Sequence, residues 1–209
     1  MEPTSTPPED VEGDVAKYVC KIGHNLHGDS EPVFRDVCFS SRVQAVYRSL
    51  GFKRPVVPQS MYIFKNPHVG GAVNPHQDSS FIYTDPLSCI GAWFALADCS
   101  KENGCLWATP GSHSIGISRR FVRTESGEST RFVPAAPQEL PTDGAVPLEC
   151  PAGTLVLIHG SVVHFSEPNT SDKARPAFTM HVVEGDEGVA YPADNWLQFE
   201  SGVFPELYQ

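Results

Sequence analysis

The sequence predicts a mainly β domain, because short strand-like runs alternate with turn signals over most of the chain. Its 209 residues are 40% hydrophobic and 19% charged, which is enough apolar material for one sizeable core. The 17 glycines and 19 prolines are a high share and indicate many turns between short elements. Many short strands in one domain favour a sandwich, a jelly roll or a barrel.

The first segments along the chain are a polar tail and a helix. Residues 1–16 combine prolines and acidic residues with little to bury, so we expect a disordered tail. A covering amphipathic helix is predicted next, from apolar residues at helical spacing: Val43, Val46, Tyr47 and Leu50. Ser40 or Ser41 would cap its N-terminus, and Gly51 would follow its last turn.

Strand-like runs then dominate the sequence. They are rich in β-branched and aromatic residues and cover 56–64, 89–97, 105–108, 154–158, 161–166 and 177–184. Turn signals such as Asp85-Pro86 and Pro110-Gly111 separate them. Residues 118–147 form a long polar segment with one strand expected near 131–133, and segments of this length are usually functional or disordered.

Charge, hydropathy and cysteine spacing exclude several classes of partner. The formal net charge of −10 argues against a nucleic-acid partner, since such binding requires Lys and Arg to neutralise phosphates. The longest apolar run, Ile90 to Ala97, is too short to span a membrane, and the N-terminal segment has no apolar signal region, so we expect a cytoplasmic protein. The six cysteines contain no C-x-x-C pair, which argues against a structural zinc site, and we expect free buried thiols rather than disulfides.

Two histidines and an aspartate have the pattern of a metal site. In an extended His76-Gln77-Asp78 segment, the first and third side chains point to the same side and can meet one ion. His164, within a predicted strand, is the candidate third ligand. Two imidazoles and one carboxylate on one face of an octahedron are the ligand set of non-haem Fe(II) oxygenases. His159 is the alternative third ligand, but it lies in a predicted turn.

An arginine completes this pattern. Arg175 follows His164 by eleven residues and comes just before another predicted strand. A guanidinium fork can bind a carboxylate through two parallel hydrogen bonds. The four residues together indicate a site for Fe(II) and 2-oxoglutarate, in which the arginine holds the far carboxylate.

Six segments of the chain resemble the phytanoyl-CoA dioxygenase family of 2-oxoglutarate oxygenases. They are KIGHNLH, QSMYIFKNPHVGGAVNPHQDSSFIYTDPL, ENGCLWATPGSH, SRRFVR, TLVLIHGSVVHFS and NWLQ, in order from Lys21 onward. The resemblance implies a double-stranded β-helix, a cupin-like jelly roll. It implies that His76, Asp78 and His164 bind Fe(II), and that the cosubstrate contacts are Arg175, Ser166, Lys21, Met61, Gln77 and Trp93.

The activity implied by the resemblance is hydroxylation of a small or lipid-like organic substrate. Such an enzyme converts 2-oxoglutarate and O₂ to succinate and CO₂, and ascorbate is a candidate reductant. Asp78 stands where halogenating relatives have a small residue, which favours hydroxylation. We expect a monomer, and a single oxygenase domain over 17–209 that lacks the usual amino-terminal layer of the family. Two alternatives stay open: a truncated, non-catalytic binding relative, and a zinc-containing cupin.

The remaining histidines are assigned simpler roles. His24 and His27 precede the predicted covering helix, and we expect both to be solvated. His181 lies on the last predicted strand, where it is either a core residue or a support for one of the ligands.

Overall fold

Two antiparallel β-sheets make up most of the computed structural model, which describes residues 15–136, 139–199 and 202–209. The strands are β1 Lys21–His24, β2 Pro55–Ile63, β3 Val73–His76, β4 Ile90–Ala95, β5 Leu106–Ala108, β6 Arg120–Arg123, β7 Thr130–Val133, β8 Val146–Leu148, β9 Leu155–His159, β10 His164–Ser166 and β11 Ala177–Glu184. One sheet has the order β1-β2-β11-β4-β9, the other has the order β3-β10-β5-β8, and β6 and β7 form a hairpin. This architecture confirms the predicted mainly β jelly roll.

Two helices cover the outer face of the five-stranded sheet. They are α1 Pro32–Cys38 and α2 Ser41–Ser49. The predicted helix is confirmed as α2: the Ser40 side chain accepts a hydrogen bond from the backbone N–H of Val43, and Gly51 has the left-handed φ of +87°. The sequence pattern did not predict α1. It has only 7 residues, so its stability depends on packing such as the stacking of Phe34 on Phe178 at 5.0 Å.

Strand β11 is buried on both faces, and its two faces contact different parts of the protein. Phe178, Met180 and Val182 pack into one cluster with Val43 and Tyr47 of α2. The alternating residues, Thr179 and His181, point the other way, towards the four-stranded sheet. On β4, the residues paired with Thr179 and His181 face the same side, because β4 pairs with β11 without a register shift from 177 to 182.

The structure differs in detail from several of the elements that the sequence predicts. The segment over 118–147 contains a hairpin, β6 and β7, and then β8. The run over 161–166 is a strand only from His164, because the N–H of Val162 closes a turn on the carbonyl of His159. The predicted tail lies outside the described residues except for its last two, which begin the 3₁₀ turn Val15–Tyr18.

Two findings concern the predicted cysteine chemistry and membrane interactions. The six cysteines all lie in the described ranges and form no disulfide there, as predicted. Within the described ranges, the helices are all too short or too polar to cross a membrane.

The expectation that His24 and His27 are solvated is wrong for His27. Its side chain is fully buried, and the Ser60 hydroxyl lies 2.8 Å from its Nδ1 and accepts its backbone N–H at 2.9 Å. Burial lowers the pKa of His27 to about 4. His24 is half-buried and lies 2.8 Å from the Gln59 amide nitrogen. The chain turns inward after β1, and the polar residues around His27 in the sequence give no indication of this burial.

We expect His27 to make the fold sensitive to mild acid. The unfolded chain takes up a proton near pH 6.5, whereas folded His27 resists it down to about pH 4, so stability falls as the pH drops through this window. Between pH 7 and pH 5, the wild type should lose about 2 kcal/mol more unfolding free energy than His27→Gln. Urea unfolding at both pH values measures the difference, with the exposed His113→Gln as control. Parallel pH profiles for the wild type and His27→Gln would contradict it.

Candidate metal centre

The side chains of His76, Asp78 and His164 converge at one end of the four-stranded sheet. Nε2 of His76 lies 3.7 Å from Asp78 Oδ1, and Nε2 of His164 lies 3.6 Å from the same oxygen. One ligand atom from each residue falls within 4.8 Å of the others. His76 ends β3 and His164 begins β10, and the two residues are paired across these strands. The spacing allows one ion to contact all three side chains.

The extended residue Gln77 places the side chain of Asp78 on the same side of the chain as that of His76. Gln77 is extended, with φ −124° and ψ 127°, and Asp78 begins the 3₁₀ turn Asp78–Ser80. The Gln77 amide donates hydrogen bonds to the carbonyls of Gly116 at 3.0 Å and Ser161 at 2.6 Å. Its side chain therefore ties the turn to the neighbouring loops. Contact between Gln77 and a cosubstrate stays a prediction.

The two imidazoles present free Nε2 atoms to the aspartate. Nδ1 of His76 lies 2.8 Å from the carbonyl of Asn74, and Nδ1 of His164 lies 3.1 Å from the carbonyl of Val162. Because a carbonyl only accepts hydrogen bonds, each Nδ1 carries a proton, and in a neutral imidazole this arrangement leaves the lone pair on Nε2. Burial, followed by the neighbouring His164, lowers the pKa of His76 to about 4.

Asp78 is ionised although it is buried. Burial opposes its charge, but the surrounding histidines, with His181 and His164 foremost, hold its pKa well below the ordinary value. A divalent metal binds aspartate in its ionised form. Two nitrogen donors and one oxygen donor on one side of a site suit Fe(II).

His181 is a fourth residue of this cluster and supports the aspartate. Its Nε2 lies 3.2 Å from Asp78 Oδ2, while Oδ1 faces the other two histidines. Of the two roles expected for His181, a core residue or a support for a ligand, its contact with Asp78 fits the second. Directly opposite His181 on β4 is Gly91, where an added Cβ would lie 3.3 Å from Asp78 Oδ2. The small residue at this position leaves room for the carboxylate.

Arg175 lies inside the protein without a carboxylate partner. Its side chain is 1% exposed, its Nε donates to the carbonyl of Gly104 at 3.0 Å, and its guanidinium carbon is 5.4 Å from the centre of the Trp93 indole ring. Its Nη1 has no hydrogen-bond partner among the described residues. No Asp or Glu in the described ranges forms an ion pair with it. A buried guanidinium without a counter-ion favours the binding of an anion.

The other residues predicted to contact the cosubstrate differ in how deeply they are buried. Met61, Thr179 and Trp93 lie opposite one another across β2, β11 and β4, and Trp93 packs towards the second sheet. Ser166 is buried at the end of β10. Lys21 lies on the edge strand β1 and is exposed.

His159 lies outside the metal cluster, in line with the preference for His164, whereas the burial of Lys65 was not expected. His159, the alternative third ligand, is exposed and its ring lies 5.5 Å from that of His113, outside the metal cluster. Lys65 is only 3% exposed, and its Nζ donates to the Ser166 hydroxyl at 2.8 Å. No local pattern marks Lys65, because lysine is ordinarily a surface residue.

Comparison with known proteins places the chain in a family. The sequence model described as phytanoyl-CoA dioxygenase (PhyH) matches residues 8–177. The chain belongs to the phytanoyl-CoA dioxygenase family. It is 52% identical over 198 residues to phytanoyl-CoA dioxygenase domain-containing protein 1 of Bos taurus, covering 92% of this chain and 66% of the relative. It is 49% identical over 178 residues to a phytanoyl-CoA dioxygenase of Arabidopsis thaliana, covering 85% of this chain and 61% of that protein.

Solved structures of more distant proteins share the fold of this family member. The non-heme alpha ketoglutarate dependent carbocyclase SnoK aligns with a TM-score of 0.67 at 22% identity, over 82% of this chain and 65% of that one. EvdO2 of Micromonospora carbonacea var. aurantiaca, in complex with 2-oxoglutarate, aligns with a TM-score of 0.61 at 18% identity, over 93% of this chain and 82% of that one. These alignments establish a common jelly-roll framework.

We expect the turn that carries Asp78 to tolerate no side chain at Gly160. A Cβ there would overlap Ser79 Oγ and lie 2.7 Å from the carbonyl oxygen of Cys89, and the Gly160 carbonyl accepts the Ser79 N–H at 2.8 Å. Gly160→Ala should lower the unfolding free energy by about 1–3 kcal/mol through overpacking. Urea unfolding measures this loss.

The neighbouring variant Ser161→Ala is the matched control. It removes a buried hydroxyl that has no partner among the described residues, so stability should stay constant or rise. Equal losses in the two variants would show that the loop is merely intolerant of change and that the Gly160 contact is unimportant.

Proposed function

We propose that this chain is an Fe(II)- and 2-oxoglutarate-dependent dioxygenase that hydroxylates a small or lipid-like organic substrate. The reaction would convert 2-oxoglutarate and O₂ to succinate and CO₂. One observation carries the proposal: His76, Asp78 and His164 converge in the same jelly roll that buries Arg175 without a counter-ion. The family membership and the alpha ketoglutarate dependence named for SnoK support it.

The three converging side chains are the proposed metal ligands. His76 and His164 would each bind through Nε2, and Asp78 through Oδ1, since His181 contacts the other carboxylate oxygen. Three protein ligands would leave further positions on the ion for small molecules. Bound iron would supply the activation of O₂.

Arg175 and Ser166 are the proposed anchors for the far carboxylate of 2-oxoglutarate. The free Nη1 of Arg175 can donate to a carboxylate in a buried setting, where such a charged hydrogen bond is strong. Trp93 and Met61 would form the wall beside it, and Lys21 and Gln77 would contribute from the periphery. Ascorbate would serve as an external reductant.

The side of the metal centre next to His76 is the proposed substrate entrance. A small cavity there is lined by Phe81, Phe132, Leu140 and Arg119 among others, and the Arg119 guanidinium lies 3.9 Å from the Phe132 ring centre. The apolar side chains in this mixed lining, next to the Arg119 cation, suit an organic substrate with a hydrocarbon part. We further propose that residues 17–209 form a single oxygenase domain. The chain spans 66% of the length of the Bos taurus relative.

Anaerobic titration tests this function directly. Addition of Fe(II) and then 2-oxoglutarate should produce a visible metal-to-ligand charge-transfer band, because the 2-oxo acid chelates the metal in this class of site. His76→Ala should abolish the band by removing a ligand. The control His159→Ala changes an exposed histidine outside the cluster and should retain it. A folded wild-type protein without a band would refute the proposal.

Turnover distinguishes this proposal from the alternatives. With O₂ and reductant, the enzyme should release succinate even without added substrate, and a metabolite screen should find compounds that accelerate this release. Cosubstrate binding without any succinate would indicate the non-catalytic relative. Zinc in protein purified without added metal, with no activity restored by Fe(II), would indicate the cupin-like alternative.

A further inference from the structure

A second buried cation lies beside the proposed carboxylate anchor. Lys65 follows β2 and is 3% exposed. Its ammonium donates to the Ser166 hydroxyl at 2.8 Å and to the carbonyl of Gly71 at 2.8 Å. An ammonium carries three N–H donors, so these two contacts leave one donor for a further acceptor.

The backbone of Lys65 is held in a conformation that lysine rarely adopts. Its φ is +42°, and its carbonyl accepts hydrogen bonds from the Arg175 backbone N–H at 3.1 Å and from the Asn169 side chain at 2.9 Å. Asn169 is itself buried and also donates to the carbonyl of Lys173. Unfavourable conformations of this kind persist where the surroundings impose them, and they are concentrated at functional sites.

Gly104 brings the Lys65 and Arg175 side chains to the same place. Its carbonyl accepts the hydrogen bond from Arg175 Nε, and a Cβ at Gly104 would lie 2.5 Å from Lys65 Cε. The stem of the lysine therefore packs directly on the residue that orients the guanidinium. The two cations and the Ser166 hydroxyl form one polar cluster inside the sheet sandwich.

The positive charge of this cluster is not balanced by a carboxylate in direct contact, although the exposed Glu167 acts on Lys65 at longer range. Within the described parts of the chain, neither Lys65 nor Arg175 forms an ion pair with an acidic residue. Burial, followed by repulsion from Arg175, lowers the pKa of Lys65 to about 7. Two like charges buried together are costly unless an anion binds between them.

The hydrogen bond from Lys65 also leaves the Ser166 hydroxyl proton available for a hydrogen bond to another group. An ammonium can only donate, so the serine oxygen is the acceptor and the serine hydroxyl proton is free to point elsewhere. Ser166 thus becomes a donor towards the same anion that Arg175 would bind.

We propose that Lys65 is a second cationic anchor for the cosubstrate, which binds its far carboxylate together with Arg175 and directs the Ser166 hydroxyl to it. The site would thereby select 2-oxo acids with a second carboxylate. This inference rests on the proposed 2-oxoglutarate dependence and adds the residue that accounts for selectivity.

The test compares two 2-oxo acids of equal chain length on the Fe(II)-loaded, anaerobic protein. Both 2-oxoglutarate and 2-oxopentanoate can chelate the metal, but only the former has the second carboxylate. Lys65→Met should weaken 2-oxoglutarate binding by about 10- to 100-fold, the loss expected for a charged hydrogen bond, and change 2-oxopentanoate binding by less than about 2-fold. Titration of the charge-transfer band gives both dissociation constants.

Two further variants separate anchoring from a structural role. Lys53→Met, at a lysine whose side chain is 78% exposed, is the matched control and should bind both acids as the wild type does. Ser166→Ala should also impair only the dicarboxylic acid, and its effect should not add to that of Lys65→Met, because the two side chains act on one carboxylate. Equal losses for both acids in Lys65→Met, or no loss for either, would overturn the inference.

A measurement on the wild type does not depend on the variants folding. The charged or titratable groups that face Lys65 are Arg175, Glu167, Cys20 and Cys105. Since Lys65 must carry its proton to bind the anion, the preference for 2-oxoglutarate over 2-oxopentanoate should decline as the pH rises above about 7. A preference that stays constant from pH 6.5 to 9 would contradict the inference. A wild type that binds neither acid would instead refute the proposed function.

Discussion

The pairing of β11 at the centre of the five-stranded sheet is the constraint on which the rest of the structure depends. Its neighbours β2 and β4 hydrogen-bond along most of its length. Both faces of this strand are covered, so alternate side chains must serve two purposes. Met180 and its neighbours of the same parity build the core under the helices, while His181 reaches the carboxylate of Asp78. A shift of one residue would exchange these faces and remove the site.

The proposed site has two ends of opposite character. At one end, the carboxylate of Asp78 lies among three imidazoles and provides the negative charge that attracts a metal cation. At the other end, Arg175 and Lys65 are buried without an anion. A molecule that chelates a metal at one end and carries a carboxylate at the other complements both. Each end would be costly alone, and the cosubstrate and metal together would offset both costs.

Several features were predictable because they depend on residues close in sequence. The two-residue period of an extended chain places His76 and Asp78 on one side, and the N-cap and apolar spacing define α2. His164 could be chosen over His159 from its strand context. By contrast, α1 is too short to produce a period, and the burial of His27 depends on contact with Ser60, 33 residues away. Lys65 has no local signal at all, since its partner Ser166 is 101 residues distant.

The sequence by itself determined the β-rich class, the covering helix, and a metal-binding pattern with an arginine at a suitable spacing, because these follow from side-chain type and local periodicity. Only the tertiary structure decided which residues support that pattern. The register of β10 against β3 sets His164 opposite His76, and the packing at Gly104 brings Lys65 beside Arg175. Such contacts arise from strand pairing and close packing between distant segments, and neither is encoded in any short stretch of the chain.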